Sequence, residues 1–296
     1  MDDVTYMNAS PKTNANETAT SLLAAKAEAE AKSRYAIAVA RPRDEDAARQ
    51  RILKACARPR FADAARYTKP LGGGKSAIGL SVRFAEEAAR LWGNIHQDMY
   101  VLVDDEDKLV LHCVVTDLET NTAAGAPMIV PKYVERRQPR EGDEVLSVRQ
   151  NSTGKQVYRI RANEDAMLVK MNALAAKLRR GLILQLLPAD LKEEAMDFCA
   201  ETARRSDAKD PDAARKAMLD RFYGIGVAAD ELKRYVGKPL EQLAPADVDH
   251  LRQVYAAVSQ GEASFSDFAN RKKKAEGTRD DGGELLARLQ ARQEAE

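Results

Sequence analysis

Strand-like residue patterns are confined to one stretch of the chain, residues 99–161, with helical periodicity before and after it. That segregation constrains the fold more than any other feature, because a block of strands between blocks of helices is the pattern of an α+β protein. MYVLV (99–103) and LVLHCVVT (109–116) flank the acidic turn 104–107 and predict a β-hairpin. Further strands are expected at 126–134, 145–149 and 156–161, with turn-forming residues at 138–143 and 151–154. The expectation is a small antiparallel sheet of four or five strands, packed with helices and followed by a helical C-terminal extension.

The helices announce their ends. Asp44, Glu45 and Asp46 suit the positive end of a helix dipole and start a helix over 44–56, with Ile52 and Leu53 facing inward. Leu80, Phe84, Ala88 and Leu91 recur at helical spacing in a helix from about 79 to 92. Asn163 caps a long helix that Pro188 ends, and shorter helices are expected at 211–222, 230–236 and 245–259. Four regions result: a loosely held N-terminal arm (1–33), an α+β nucleic-acid-binding core (34–206), a small helical region (207–268) and a charged tail (269–296). The tail carries Arg271, Lys272, Lys273 and Lys274, then an amphipathic ELLARLQARQ expected to be helical only against a partner.

Cys56, Cys113 and Cys199 are odd in number and far apart, which signals neither a disulfide framework nor a close-spaced zinc site. The first twenty residues carry acids where a secretion signal carries bases, and no apolar run approaches the roughly 20 residues of a membrane span. A reducing, cytoplasmic setting is expected.

The net charge of +1 conceals a division along the chain. Residues 41–90 hold twelve Lys/Arg against six Asp/Glu, and 131–161 hold eight against four, whereas 91–130 hold one against seven. Local cation surplus is what attracts a polyanion. On the long helix Met167, Met171, Leu174, Leu178 and Leu182 form an apolar stripe, while Lys170, Ala173, Lys177 and Arg180 lie on another face with Arg179 flanking. Small Ala173 leaves room for a phosphodiester backbone to approach, the competing reading being a solvated face. Arg58, Arg60, Lys69 and Lys75 around the glycine turn, with Lys132, Arg136, Arg137, Arg159 and Arg161 near the strands, complete the candidate contacts. Phe61, Tyr67, Tyr133 and Tyr158 lie among them, and bases stack on such rings.

One catalytic motif is suggested. Gly72-Gly73-Gly74-Lys75-Ser76 before a helix resembles part of a phosphate-binding loop, with Asp104 at a strand end as magnesium ligand. The first glycine of that motif falls on Lys69, and ADAARYTKP before it is not a buried apolar strand. Arg83 with Glu87 and Glu86 with Arg90 read as i,i+4 surface pairs, and His96, His112 and His250 as structural histidines. No signature of the familiar hydrolases, metalloproteases or redox enzymes occurs.

GLSVRFAEEAARLWGN (79–94), TDLETNT (116–122), NALAAKLRRGLILQLLP (172–188) and the later GVAADELKRYVGKPLEQLAPADVDHLRQVYAAVSQGE resemble phage and prophage recombination proteins. In broad layout, over residues 35–268, the chain resembles single-strand annealing proteins of the RecT and Redβ kind. The resemblance implies an ATP-independent protein that coats single-stranded DNA, forms rings or filaments, pairs complementary strands, and works beside a phage exonuclease or a host single-strand-binding protein. It implies no cofactor and no bond-breaking chemistry. The alternatives are a nucleotide-hydrolysing enzyme using Lys75, Ser76 and Asp104, and a phage structural or adaptor protein whose tail binds a partner helix.

Overall fold

The computed structural model describes residues 15–71, 76–151 and 154–269. It is an α+β fold with a helical C-terminal region. The chain runs through α1 (Ala15–Ala40), α2 (Glu45–Cys56), α3 (Pro59–Ala65), β1 (Arg66–Pro70), β2 (Ser76–Leu80) and α4 (Val82–Trp92). Six strands follow: β3 (Ile95–Asp104), β4 (Lys108–Asp117), β5 (Thr122–Pro131), β6 (Tyr133–Arg136), β7 (Val145–Gln150) and β8 (Gln156–Arg161). The rest is helical: α5 (Glu164–Leu186), α6 (Ala189–Asp207), α7 (Pro211–Gly224), α8 (Ala229–Val236) and α9 (Pro245–Ser259).

The strands do not form one sheet. They make three antiparallel sheets, β1-β2, β3-β4-β5 and β6-β8-β7. The expected hairpin is β3–β4, with Met99 opposite Cys113 and Val101 opposite Leu111. The β1–β2 hairpin was not expected from sequence, and it displaces the start of α4. Gly79 and Leu80 belong to β2, and the helix begins at Val82, where the Ser81 hydroxyl accepts from the Phe84 amide.

Three clusters hold the molecule together. In the largest, Ile52 and Leu53 of α2 meet Phe84 and Trp92 of α4, Val115 of β4, Ile183 of α5, and Leu191 and Cys199 of α6. Phe84 is fully buried, and truncating such a side chain to alanine costs about 3–5 kcal/mol. The predicted stripe of α5 continues this core, with Met167, Met171 and Leu174 covering Leu111, Met128 and Val130 of β4 and β5. The third cluster gathers Met218, Phe222, Leu232, Leu251 and Phe268 of the C-terminal helices.

Buried ion pairs join that last cluster to the rest. Arg66 of β1 donates to Asp249 of α9 at 2.6 Å, and Arg252 of α9 meets Asp63 of α3 and Asp207 of α6 at 2.8 Å each. The N-terminal arm is an α-helix over its described length, and it crosses the expected boundary at residue 33. Its residues 20–33 are exposed, and it reaches the core only near its end, where Arg34 meets His96 at 3.1 Å and Tyr35 donates to Asn121 at 3.0 Å.

Candidate nucleic-acid interface

A short helix with proline at its first position begins at Pro59, so Arg58 and Arg60 flank its start and Phe61 follows. On the neighbouring α4, Arg83, Glu86, Glu87 and Arg90 fall at i, i+3, i+4 and i+7 and therefore share a face. The two elements enclose an open cleft of about 480 Å³ lined by Arg58, Arg60, Phe61, Arg83, Glu86, Glu87 and Arg90. Four guanidinium groups face two carboxylates there, and Arg179 of α5 adds a fifth, 3.8 Å from Glu86.

Glu87 organises the cleft. It accepts from Arg90 at 2.8 Å and from Arg58 at 2.7 Å. The Arg90 hydrogen bonds, with Arg58 adding to them, hold its carboxyl well below the ordinary carboxylate range, at about 2. Arg58 also lies over the Phe61 ring, 5.3 Å from its centroid. Arg60 and Arg83 have no acidic partner among the described residues. Guanidinium forks of this kind match phosphate oxygens two at a time, and an aromatic ring beside them gives a base a surface to stack on. The pairs expected on α4 are therefore replaced: Glu87 serves Arg90 and Arg58, and Glu86 faces Arg179.

The long helix behaves otherwise. Lys170 turns inward, donating to the carbonyls of Pro131 at 3.1 Å and Tyr133 at 2.8 Å, and burial pushes its ammonium below the usual lysine range. Lys177 donates to the carbonyl of Glu262 at 3.2 Å. Arg180 pairs with the Glu262 carboxylate, itself buried, and lies over the Tyr67 ring at 4.6 Å. These three expected phosphate contacts are internal struts in this fold. Arg179, the next residue round the helix by about 100°, points to α4 instead.

Near the strands the cations are also engaged. Lys132 pairs with Asp104 at 2.5 Å, Arg136 with Asp143 at 2.8 Å, Arg159 with Glu135 at 3.3 Å and Arg161 with Glu144 at 2.9 Å. Tyr133 lies under Arg159 at 4.7 Å and Lys170 at 5.1 Å, so its ring is already in use. Arg137 and Lys69 are exposed and lack an acidic partner among the described residues. Lys75 lies outside the described residues.

Among the described residues, Arg60 and Arg83 in the cleft lack an acidic partner, as do Arg137 and Lys69 outside it. The sequence marks Arg58 and Arg60 as contacts around the glycine turn, not in this cleft, and reads Arg83 and Arg90 as surface pairs. Their i,i+7 spacing opposite Arg58-Pro59-Arg60 was the available signal.

The phosphate-loop reading meets a geometric obstacle. Ser76 pairs with Pro70 in the β1–β2 hairpin, and α4 starts six residues later with β2 intervening. The described elements on either side of the glycine segment are thus two antiparallel strands, and no helix N-terminus follows it directly. Asp104 pairs with Lys132 beside the hairpin turn. Among the described residues, no cluster of three His, Cys, Asp or Glu side chains is placed to hold a metal ion, and no helix is long and apolar enough to cross a membrane.

Two sheet edges are open as well. β3 ends its sheet, and Met99, Tyr100, Val101, Leu102 and Val103 are each 42–57% exposed. β7 ends the other three-stranded sheet and exposes Val145, Leu146 and Val148. Open apolar edges of this kind accept another strand. The acids of 104–107 adjoin the first edge, whereas the second is flanked by both signs, Glu141, Asp143 and Glu144 with Arg140 and Lys155. Comparison of the chain with family models, curated proteins and solved structures finds no match.

Proposed function

We propose that the protein binds single-stranded DNA and anneals complementary strands without nucleotide hydrolysis, acting in the cytoplasm in phage-type homologous recombination. The observation that carries this reading is the α3–α4 cleft, where Arg60 and Arg83 stand without acidic partners beside Arg58, Arg90 and Phe61. Such a surface attracts phosphates regardless of sequence and favours strands whose bases are free to stack. Annealing requires many copies along one strand, and the open β3 and β7 edges fit strand addition between copies in a ring or filament. A phage exonuclease or a host single-strand-binding protein is the partner expected from the resemblance.

The test is a fluorescence-anisotropy titration of a labelled, mixed-sequence oligonucleotide of about 40 nucleotides, several times the roughly 4–16 nucleotides of one single-strand site. Salt is varied, and a strand-pairing assay without ATP follows. Binding that weakens steeply with salt, followed by faster pairing, is expected. Absence of binding at low salt would remove the proposal.

A further inference from the structure

A second cleft, of about 690 Å³, lies between α5 and β6. Val134, Ala166, Val169 and Ala173 form its apolar part, with Glu135 and Asp165 at its rim. Val169 is 70% exposed and its neighbour Leu168 is 53% exposed, on a helix whose other apolar residues pack beneath the β3-β4-β5 sheet or in the main core. Lys170 lines the same cleft, but its ammonium is turned away to the carbonyls of Pro131 and Tyr133. The α5 side of the cleft runs from Asp165 to Ala173, about 12 Å at 1.5 Å per residue, which is the length of a two-turn helix.

We propose that this cleft is the seat of the chain's own tail segment, residues 284–293, bound as an amphipathic helix. The proposal stands apart from the DNA-binding reading. In ELLARLQARQ, the spacing of Leu285, Leu286 and Leu289 puts them on one helical face over little more than one turn, and Arg288 and Arg292 are spaced i,i+4 beside it. Small Ala166 and Ala173 on either side of Val169 leave room for leucines. Glu164 and Asp165 have no basic partner among the described residues and offer one to each arginine. A ten-residue helix is unstable alone, so apolar cover is what would fix it.

The path of the chain favours its own tail over a foreign helix. The turn at Gly261 and Glu262 rests on α5: a Cβ at Gly261 would lie 3.8 Å from the Ala173 Cβ, and Lys177 donates to the Glu262 carbonyl at 3.2 Å. Ala173 also lines the cleft. The last described residue, 269, is eight positions later, hence within about 27 Å of that turn, and the fifteen steps from 269 to 284 reach about 50 Å. A tethered segment has a local concentration in the millimolar range, enough for a contact too weak to form between separate molecules.

Cross-linking tests this on the full chain. Val169→Cys/Leu289→Cys is treated with a short bismaleimide beside the control Val148→Cys/Leu289→Cys, whose first cysteine sits on the exposed β7; the native Cys56, Cys113 and Cys199 are buried. An intrachain 169–289 link at least about tenfold above the control is expected, and Leu286→Asp should abolish it. Equal yields at both positions, no link, or links between chains only would each overturn the proposal. As a second reading, Val169→Cys should react faster with a monofunctional maleimide in a Leu286→Asp/Leu289→Asp background, and an unchanged rate would count against the docked tail.

Discussion

Helix α5 and the α3–α4 surface each offer four cations to sequence reading, and the fold uses them in opposite ways. Lys170, Lys177 and Arg180 of α5 face the body of the protein, where two carbonyls, the Glu262 turn and the Tyr67 and Tyr133 rings receive them. Arg58, Arg60, Arg83 and Arg90 face solvent, with only Glu87 meeting two of them directly. The difference shows that cation density along a chain is not the charge a ligand meets. Available charge is what remains after the fold has paired its own acids.

The strongest way to break this contrast is to remove Arg180. The Glu262 side chain is 3% exposed, and without Arg180 its remaining cation is Lys177 at 4.0 Å. Breaking a buried pair by deleting one partner costs about 3–5 kcal/mol. Arg180→Met should therefore lower the urea midpoint by a corresponding amount while leaving the salt slope of oligonucleotide binding unchanged. A variant as stable as the parent, or one with a shallower slope, would show that α5 does present its charge outward.

The complementary change is Arg60→Glu/Arg83→Glu, which should leave stability within about 0.5 kcal/mol, as for most surface substitutions. Two charge-assisted contacts of about 1.5 kcal/mol each would be lost, so affinity for single-stranded DNA should fall about 100-fold. Its salt slope should become shallower by roughly 0.7 for each phosphate contact removed. Undiminished affinity in anisotropy would move the interface elsewhere, Arg137 and Lys69 being the next exposed candidates.

Much of the scaffold was legible because local chemistry specified it. Asp44 and Asn163 cap α2 and α5 through their side chains, the acidic turn joins β3 to β4, and the Met/Leu stripe of α5 packs inward. The β1–β2 hairpin was not legible, since the buried side chains of β1 include Arg66 and Thr68, which leave no apolar alternation to read. The division into three sheets escaped for a related reason: residue patterns mark strands, whereas their partners are chosen by packing. The site was legible only in its residue types. Whether Lys177 and Arg180 point to solvent depends on Glu262, which is 82 positions from Arg180 and marked by nothing local.

The mildest change sharpens the contrast most, because it alters available charge without touching an arginine. Glu87→Gln releases Arg58 and Arg90 from their shared carboxylate. Affinity for single-stranded DNA should rise about two- to fivefold, the weight of a surface charge interaction of up to about 1 kcal/mol. The salt slope should steepen by roughly 0.7 for each arginine that then takes a phosphate. The pH dependence is fixed in sign. Hydrogen bonding from Arg90, then from Arg58, depresses the Glu87 carboxyl from 4.5 to about 2 in the folded protein. Its contribution to stability is thus full above about 4.5 and is lost only as pH falls towards 2. Between pH 7 and 4.5 the wild-type carboxylate stays charged, so the affinity gap between the two proteins should be constant across that window. A gap that closed near pH 5 would mean that Glu87 titrates as a free carboxylate and that Arg58 and Arg90 are already available to DNA in the parent protein.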